Sequence, residues 1–214
     1  MKEAVLLVNL GTPDDPGPGK VRKYLTQFLN DRRVIDINPV GRFALVNFVI
    51  VPFRSFNSSK LYKAIWTAKG SPLLLYGYEL REKLQQALGD KYFVELGMRY
   101  QRPSIKSALE SIRKQRPSRI HVIPLYPQYA SSSTGTVIEE VMRCIKGWEV
   151  LPDIRFMAKF YDDAGYLKAL KSVAARYDPR EYDHVIFSYH GLPERQIRKR
   201  EGAQGVGGVG SHAT

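Results

Sequence analysis

Short apolar runs rich in β-branched residues alternate along this chain with longer stretches of helical periodicity. That alternation limits the folds open to it more than any other feature. Val5-Leu6-Leu7-Val8-Asn9-Leu10 has the length and composition of a buried strand. Residues 92–98, 120–125 and 154–160 read the same way. Between them, Tyr24, Leu25, Phe28 and Leu29 recur at helical spacing, as do Leu74, Tyr78, Leu80, Leu84 and Leu88. Further helices are expected over 104–115, 137–146 and 166–177. Strand, turn and helix in repeated order imply an α/β fold, a parallel sheet with helices on both faces. A connector at 147–153, with Pro152 inside it, is the expected domain boundary. It separates a first α/β domain, 1–147, from the start of an incomplete second one, 148–200. Residues 201–214 are Gly-rich without a period and cannot bury a core, so they read as an aberrant or disordered tail.

Cys144 is the single cysteine, which rules out an intrachain disulfide and fits a reducing compartment. The N-terminus lacks a signal peptide's apolar region and cleavage site, and no apolar run approaches the ~20 residues of a membrane-spanning helix. A cytoplasmic location is expected. The net charge of +12 suggests an anionic partner: nucleic acid, an acidic membrane surface or a polycarboxylate. The cations are spread along the chain, however, as solvated helix faces would have them, and no nucleic-acid partner is expected. The most apolar segment, 43–53, is too short to span a bilayer. Two readings fit it: a buried helix, or a lip lying on a membrane surface between Arg42 and Arg54.

Candidate chemistry sits where strands end. Val185-Ile186-Phe187 reads as a short buried strand that stops before Gly191 and Pro193. His190 then occupies the strand-to-loop edge, where parallel sheets bind ligands. Imidazole titrates near neutral pH and ligates metals, although a His that merely caps a strand fits as well. Arg99-Tyr100, at another strand end, can hold a carboxylate and stack on a flat ring; a surface Arg beside a packed Tyr is the other reading. Ser131-Ser132-Ser133-Thr134 crowds a strand-to-helix junction, where one hydroxyl is expected to cap the next helix. His121, inside a strand, reads as a buried structural histidine. The loop from Gly11 to Gly19 lacks both GxGxxG spacing and a Walker lysine, so a nucleotide is not indicated. A lone cysteine gives no support for an iron–sulfur cluster.

Phe187-Ser188-Tyr189-His190-Gly191-Leu192-Pro193 closely resembles the signature segment of ferrochelatases, which insert ferrous iron into a porphyrin to make haem. Asn9-Leu10-Gly11-Thr12-Pro13, Gly70-Ser71-Pro72 and Pro124-Leu125-Tyr126-Pro127-Gln128-Tyr129 with Ser133-Thr134-Gly135 resemble the same family. The likeness runs over about residues 4–200. It implies a chelatase-like architecture of two Rossmann-like domains facing each other across a porphyrin cleft. It implies His190 as the active-site histidine, either proton acceptor or iron ligand. It implies Leu10 and Tyr100 against the ring, Arg54 and Arg99 on the propionates, and the Ser133–Thr134 loop bordering the macrocycle. The apolar 43–53 segment would be a lip at the cleft mouth, in peripheral contact with a membrane. Fe(2+) would be a substrate, with no other cofactor, and the porphyrin would be protoporphyrin IX or coproporphyrin III. The family's catalytic glutamate has no counterpart here, so the chain reads as a truncated, inactive fragment. A chelatase for another tetrapyrrole or metal is the nearer alternative; a basic anion- or nucleic-acid-binding domain is the alternative of another class.

Overall fold

The computed structural model describes residues 2–194 and Ile197. The chain divides into two compact units, Met1–Asp163 and Ala164–Thr214.

The first unit is built on four parallel strands in the order β2-β1-β3-β4. They are β1 (Glu3–Gly11), β2 (Tyr92–Tyr100), β3 (Arg119–Pro124) and β4 (Asp153–Phe156). β1 is central, with Leu6 opposite Glu95 on one side and Val122 on the other. Its side chains alternate between two buried faces, as a strand covered on both sides must. Ala4, Leu6 and Val8 pack with Ile105, Leu109 and Ile112 of α5 (Ile105–Lys114) and with Val137 and Val141 of α6 (Thr136–Ile145). Val5 and Leu7 pack on the other face with Leu96 and Met98 and against Leu74 and Leu84 of α4 (Pro72–Leu88). Gly77 lets α4 lie close on β2, because a Cβ there would meet Leu96 Cδ2 at 2.9 Å. The amide of Gln85 clips the α4–β2 turn, accepting from the Val94 N–H at 2.8 Å and donating to the Tyr92 carbonyl at 2.9 Å.

A third apolar cluster joins α1 (Pro18–Leu29) to one long helical stretch at the carboxyl end of the sheet. That stretch is α2 (Pro39–Ala44), a π-helical segment Leu45–Ile50, and α3 (Val51–Ile65). Pro52 has no N–H and its ring crowds the carbonyl four residues back, so a normal helical ladder cannot run through it. The Val51 N–H reaches the Val46 carbonyl instead, five residues back. Of the two readings open for 43–53, the fully buried helix is not what forms: Val46 and Val51 are buried, while Phe43, Phe48 and Phe53 stand 58%, 70% and 76% exposed.

The first unit continues past the 147–153 connector where the sequence suggests a boundary. β4 pairs in register with β3, Ile120 opposite Ile154, so the sheet takes its fourth strand from beyond that connector. The second unit contains α7 (Ala164–Ala174) and a single 3-10 turn, Pro179–Glu181. Val185-Ile186-Phe187, expected as a buried strand, is neither: no strand is assigned there, and the three residues are 58%, 86% and 77% exposed. A strand is stable only when neighbours take up its N–H and C=O groups, and no described segment pairs with this one. Residues 201–214 lie outside the described residues. His121 is also corrected: it is half-buried, and its Nε2 lies 2.6 Å from Glu3 Oε2.

Candidate active site

Because the strands are parallel, β1, β2 and β3 present their carboxyl ends to one edge of the sheet. Gly11 closes that edge. Its φ is +113°, and a Cβ would sit 2.0 Å from the Tyr100 carbonyl oxygen, so β1 and β2 approach this closely only with glycine here. Just beyond it, Asp31 organises a buried polar network. Its Oδ2 accepts from Arg99 Nη2 at 2.7 Å, from the Tyr100 hydroxyl at 2.9 Å and from the Thr136 hydroxyl. Its Oδ1 accepts from the Arg33 backbone N–H at 2.8 Å. Arg99 Nε donates to Thr136 Oγ1 at 2.7 Å, and the guanidinium lies 4.6 Å from the centre of the Tyr100 ring. Burial alone would raise the Asp31 pKa. The donors from Thr136, Arg33 and Tyr100, with the charge of Arg99, outweigh burial and hold it below the usual carboxylate value. Burial, followed by the Asp31 charge, pushes the Tyr100 phenol well up, so it stays a neutral donor.

Three buried hydroxyls of the loops that leave this edge have no hydrogen-bond partner among the described residues: Thr12 after β1, and Tyr126 and Thr134 after β3. Nearby, a cavity of about 630 Å³ opens between the β1 loop, the β2–α5 loop and the start of α4. Trp66, Leu74 and Tyr78 give it apolar walls; Lys69, Arg102 and Ser71 give it polar ones, together with the carboxylate of Asp14, which lies 3.7 Å from Lys20. Ser71 is the N-cap of α4 and makes no side-chain capping bond, leaving its hydroxyl free for another acceptor. A pocket with flat apolar sides, two cations and two helix starts suits a carboxylate-bearing aromatic or macrocyclic ligand.

The structure places the residues singled out by sequence as follows. Leu10 is half-buried against the α1 cluster. Arg54 is exposed on α3, with no ion pair among the described residues. Arg99 is mostly buried and committed to Asp31 and Thr136, so it is not free to take a ligand carboxylate in this conformation. Tyr100 is fully buried, and the expected stacking of its ring on a ligand is replaced by packing against Tyr24 and Phe28. Ser133 is half-buried, while Thr134 is inaccessible in a π-helical turn, Ser131–Gly135. No hydroxyl of 131–134 caps α6, whose N-cap is Gly135; Ser131 accepts from Arg33 Nη1 at 3.0 Å instead. His190 lies exposed in the second unit, in a segment without regular structure. Among the described residues no three His, Cys, Asp or Glu side chains gather into a metal-binding group. Asp31, Thr136, Trp66 and Arg102 were not identified from sequence. Asp31 sits in a plain Asn-Asp-Arg-Arg turn and meets Arg99 across 68 positions, which no local pattern announces.

Comparison with known proteins agrees with the motif resemblance. A family model described as ferrochelatase matches residues 2–203. A ferrochelatase of Legionella pneumophila (strain Corby) is 43% identical over 199 residues, covering 93% of this chain and 59% of that protein. One from Coxiella burnetii is 41% identical over 199 residues, covering 92% of this chain and 55% of that protein. The chain thus spans a little over half the length of the curated relatives it matches.

Proposed function

As the chain belongs to the ferrochelatase family, we propose that it is part of an enzyme that inserts Fe(2+) into a porphyrin in haem synthesis, with protoporphyrin IX or coproporphyrin III as acceptor. The observation that carries this reading is the cavity at the carboxyl edge of the sheet, where Trp66 and Tyr78 stand beside Lys69, Arg102 and the uncapped Ser71. A porphyrin makes those two demands together: a flat apolar body, and propionates that need cations or N–H donors.

Metallation must remove two pyrrole N–H protons before the metal can enter the ring. His190 is proposed to accept a proton or to ligate the iron, both of which neutral imidazole can do. Its partner carboxylate is assigned to no residue of this chain. Lys69 and Arg102 take the role of propionate holders that the family resemblance implies for Arg99. Arg54 keeps that role, because it is exposed and unpaired among the described residues. Leu10 and Ser133 are proposed to border the ring.

Phe43, Phe48, Phe53 and Phe56 are 58%, 70%, 76% and 63% exposed beside Arg42 and Arg54. We propose that this face makes peripheral contact with a membrane surface. Among the described residues no helix is long and apolar enough to cross one.

The test is a titration with protoporphyrin IX, coproporphyrin III and sirohydrochlorin, followed by absorbance. A shift with one of the first two, weakened about tenfold in Lys69→Glu, is the expected outcome; no shift with either overturns the reading. Because the segment carrying His190 is unpaired, the 214-residue chain should bind porphyrin yet show little or no metal insertion. Ordinary turnover that survives His190→Ala would remove the role given to that histidine.

A further inference from the structure

A second cavity, of about 690 Å³, lies on the outer side of α1 and has a different character. Arg22 and Lys23 of α1 and Arg102 of the β2–α5 loop all line it, and no carboxylate does. Arg33 pairs with Glu139, Arg99 with Asp31, Arg119 with Asp153 and Arg143 with Glu140, while single arginines such as Arg54 stand without an ion pair among the described residues; what sets this hollow apart is that three such cations line it together. None of the three cations here has an ion-pair partner among the described residues. Three like charges around one hollow repel one another, and a bound anion relieves that repulsion.

The rear of the hollow is built rather than incidental. Gln101 is 9% exposed and holds a left-handed φ of 67°, a conformation few L-residues adopt. Gln27 Oε1 fixes it, accepting from the Gln101 backbone N–H at 3.0 Å and from its Nε2 at 2.7 Å. With both of those donors spent on Gln27 Oε1, the Gln27 amide nitrogen is left as a donor at the wall. α1 also begins here, at Pro18-Gly19; Asp15, whose Oδ1 accepts from the Gly17 N–H at 2.8 Å, and Asp14, 3.7 Å from Lys20, already offset its positive end, so the potential of the hollow rests on the three cations.

We propose that this cavity is a binding site for a small hydrophilic polyanion of the oligophosphate class, distinct from the porphyrin cavity. The lining carries no aromatic or branched aliphatic side chain, which excludes a tetrapyrrole and leaves charge and hydrogen bonding to hold the ligand. Three cations unpaired among the described residues match several phosphate oxygens better than a single carboxylate. Arg102 and Ser104 line both cavities, so an anion held here draws on an arginine that the other cavity also uses.

Inorganic tripolyphosphate is the probe, titrated calorimetrically into the whole chain at low and at physiological ionic strength. Saturable binding at one site is expected, weakening with salt. Gly19→Asp is the decisive variant. A Cβ at Gly19 meets nothing within 4 Å, and an acid in a first helical turn favours the helix, so the fold is kept while a fixed carboxylate enters the hollow. It should weaken binding at least tenfold with thermal stability equal or higher, and Arg22→Glu should do the same. Arg176→Glu, on the second unit, should leave affinity unchanged. Binding that does not saturate, or that is equal in Gly19→Asp and the parent, overturns the proposal. Vesicles carrying a polyphosphoinositide form a second arm: the free anion should bind in their absence, and capture by vesicles alone also overturns it. None of these readouts involves porphyrin, and neither Arg22 nor Gly19 lines the other cavity, so this site and the chelatase reading can fail separately.

Discussion

Two apolar, β-rich runs of this chain meet opposite fates. Val5-Leu6-Leu7-Val8 in β1 is 0–4% exposed, hydrogen-bonded to a strand on each side and covered by helices on both faces. Val185-Ile186-Phe187 is equally apolar, yet is 58–86% exposed and unpaired among the described residues. Composition marks a segment as able to be a strand, but only partners make it one, since a lone ladder edge leaves its amides and carbonyls to water. The contrast extends to the polar groups. In the first unit Asp31 ties together Arg99, Tyr100 and Thr136 from two later elements. In the second unit the ion pair Asp178–Arg180 links residues two apart and stands in solvent. On α7, Leu167, Leu170 and Val173 are each about half exposed, so its apolar face is uncovered.

The contrast can be broken most forcefully at Asp31. Asp31→Ala strips the carboxylate from a largely buried guanidinium and should cost about 3 kcal/mol in chemical denaturation; a loss under about 1 kcal/mol would mean that the network does not hold the first unit together. Leu6→Ala removes a fully buried side chain from the central strand and should cost about 2–4 kcal/mol. The matching change Ile186→Ala, at 86% exposure, should stay within about 0.5 kcal/mol; equal losses at the two positions would erase the difference between the runs. Acid unfolding sharpens the point. Asp31 has a depressed pKa, so its contribution is present above the ordinary value of 3.8 and is lost as pH falls through the lower folded value. Asp31→Asn should therefore lose less stability than the parent between about pH 4 and pH 2.5, and parallel curves would show that Asp31 titrates normally. The smallest effect is colloidal. Ile186→Ser should lower the aggregation rate of the chain several-fold with no change in melting temperature, because it removes exposed apolar surface and nothing buried.

The alternating pattern was enough to place β1 to β4 and the helices α1, α4, α5, α6 and α7, because each buried element repeats its apolar positions at its own period. It did not show that the helix begun near 43 continues to Ile65, since α3 has no clear apolar stripe and exposes Phe53, Phe56, Leu61 and Ile65. Nor did it separate Arg99 and Tyr100 as ligand groups from the same residues as core. Arg-Tyr at a strand end reads alike in both cases, and the difference is made by Asp31, 68 positions earlier in the chain than Arg99. The cavity residues Trp66, Lys69 and Arg102 were missed for a related reason: each sits in a connector, where no periodicity marks it.

The amino-acid order by itself determined the layered parallel α/β architecture of the first unit and the family, because hydrophobic period and short motifs are local properties carried by adjacent residues. Tertiary structure alone decided which charges are spent inside and which remain for a ligand. Charge pairing depends on distance in space, and the residues that neutralise Arg99, or leave Arg22, Lys23 and Arg102 without a counter-charge, are set by how distant segments pack.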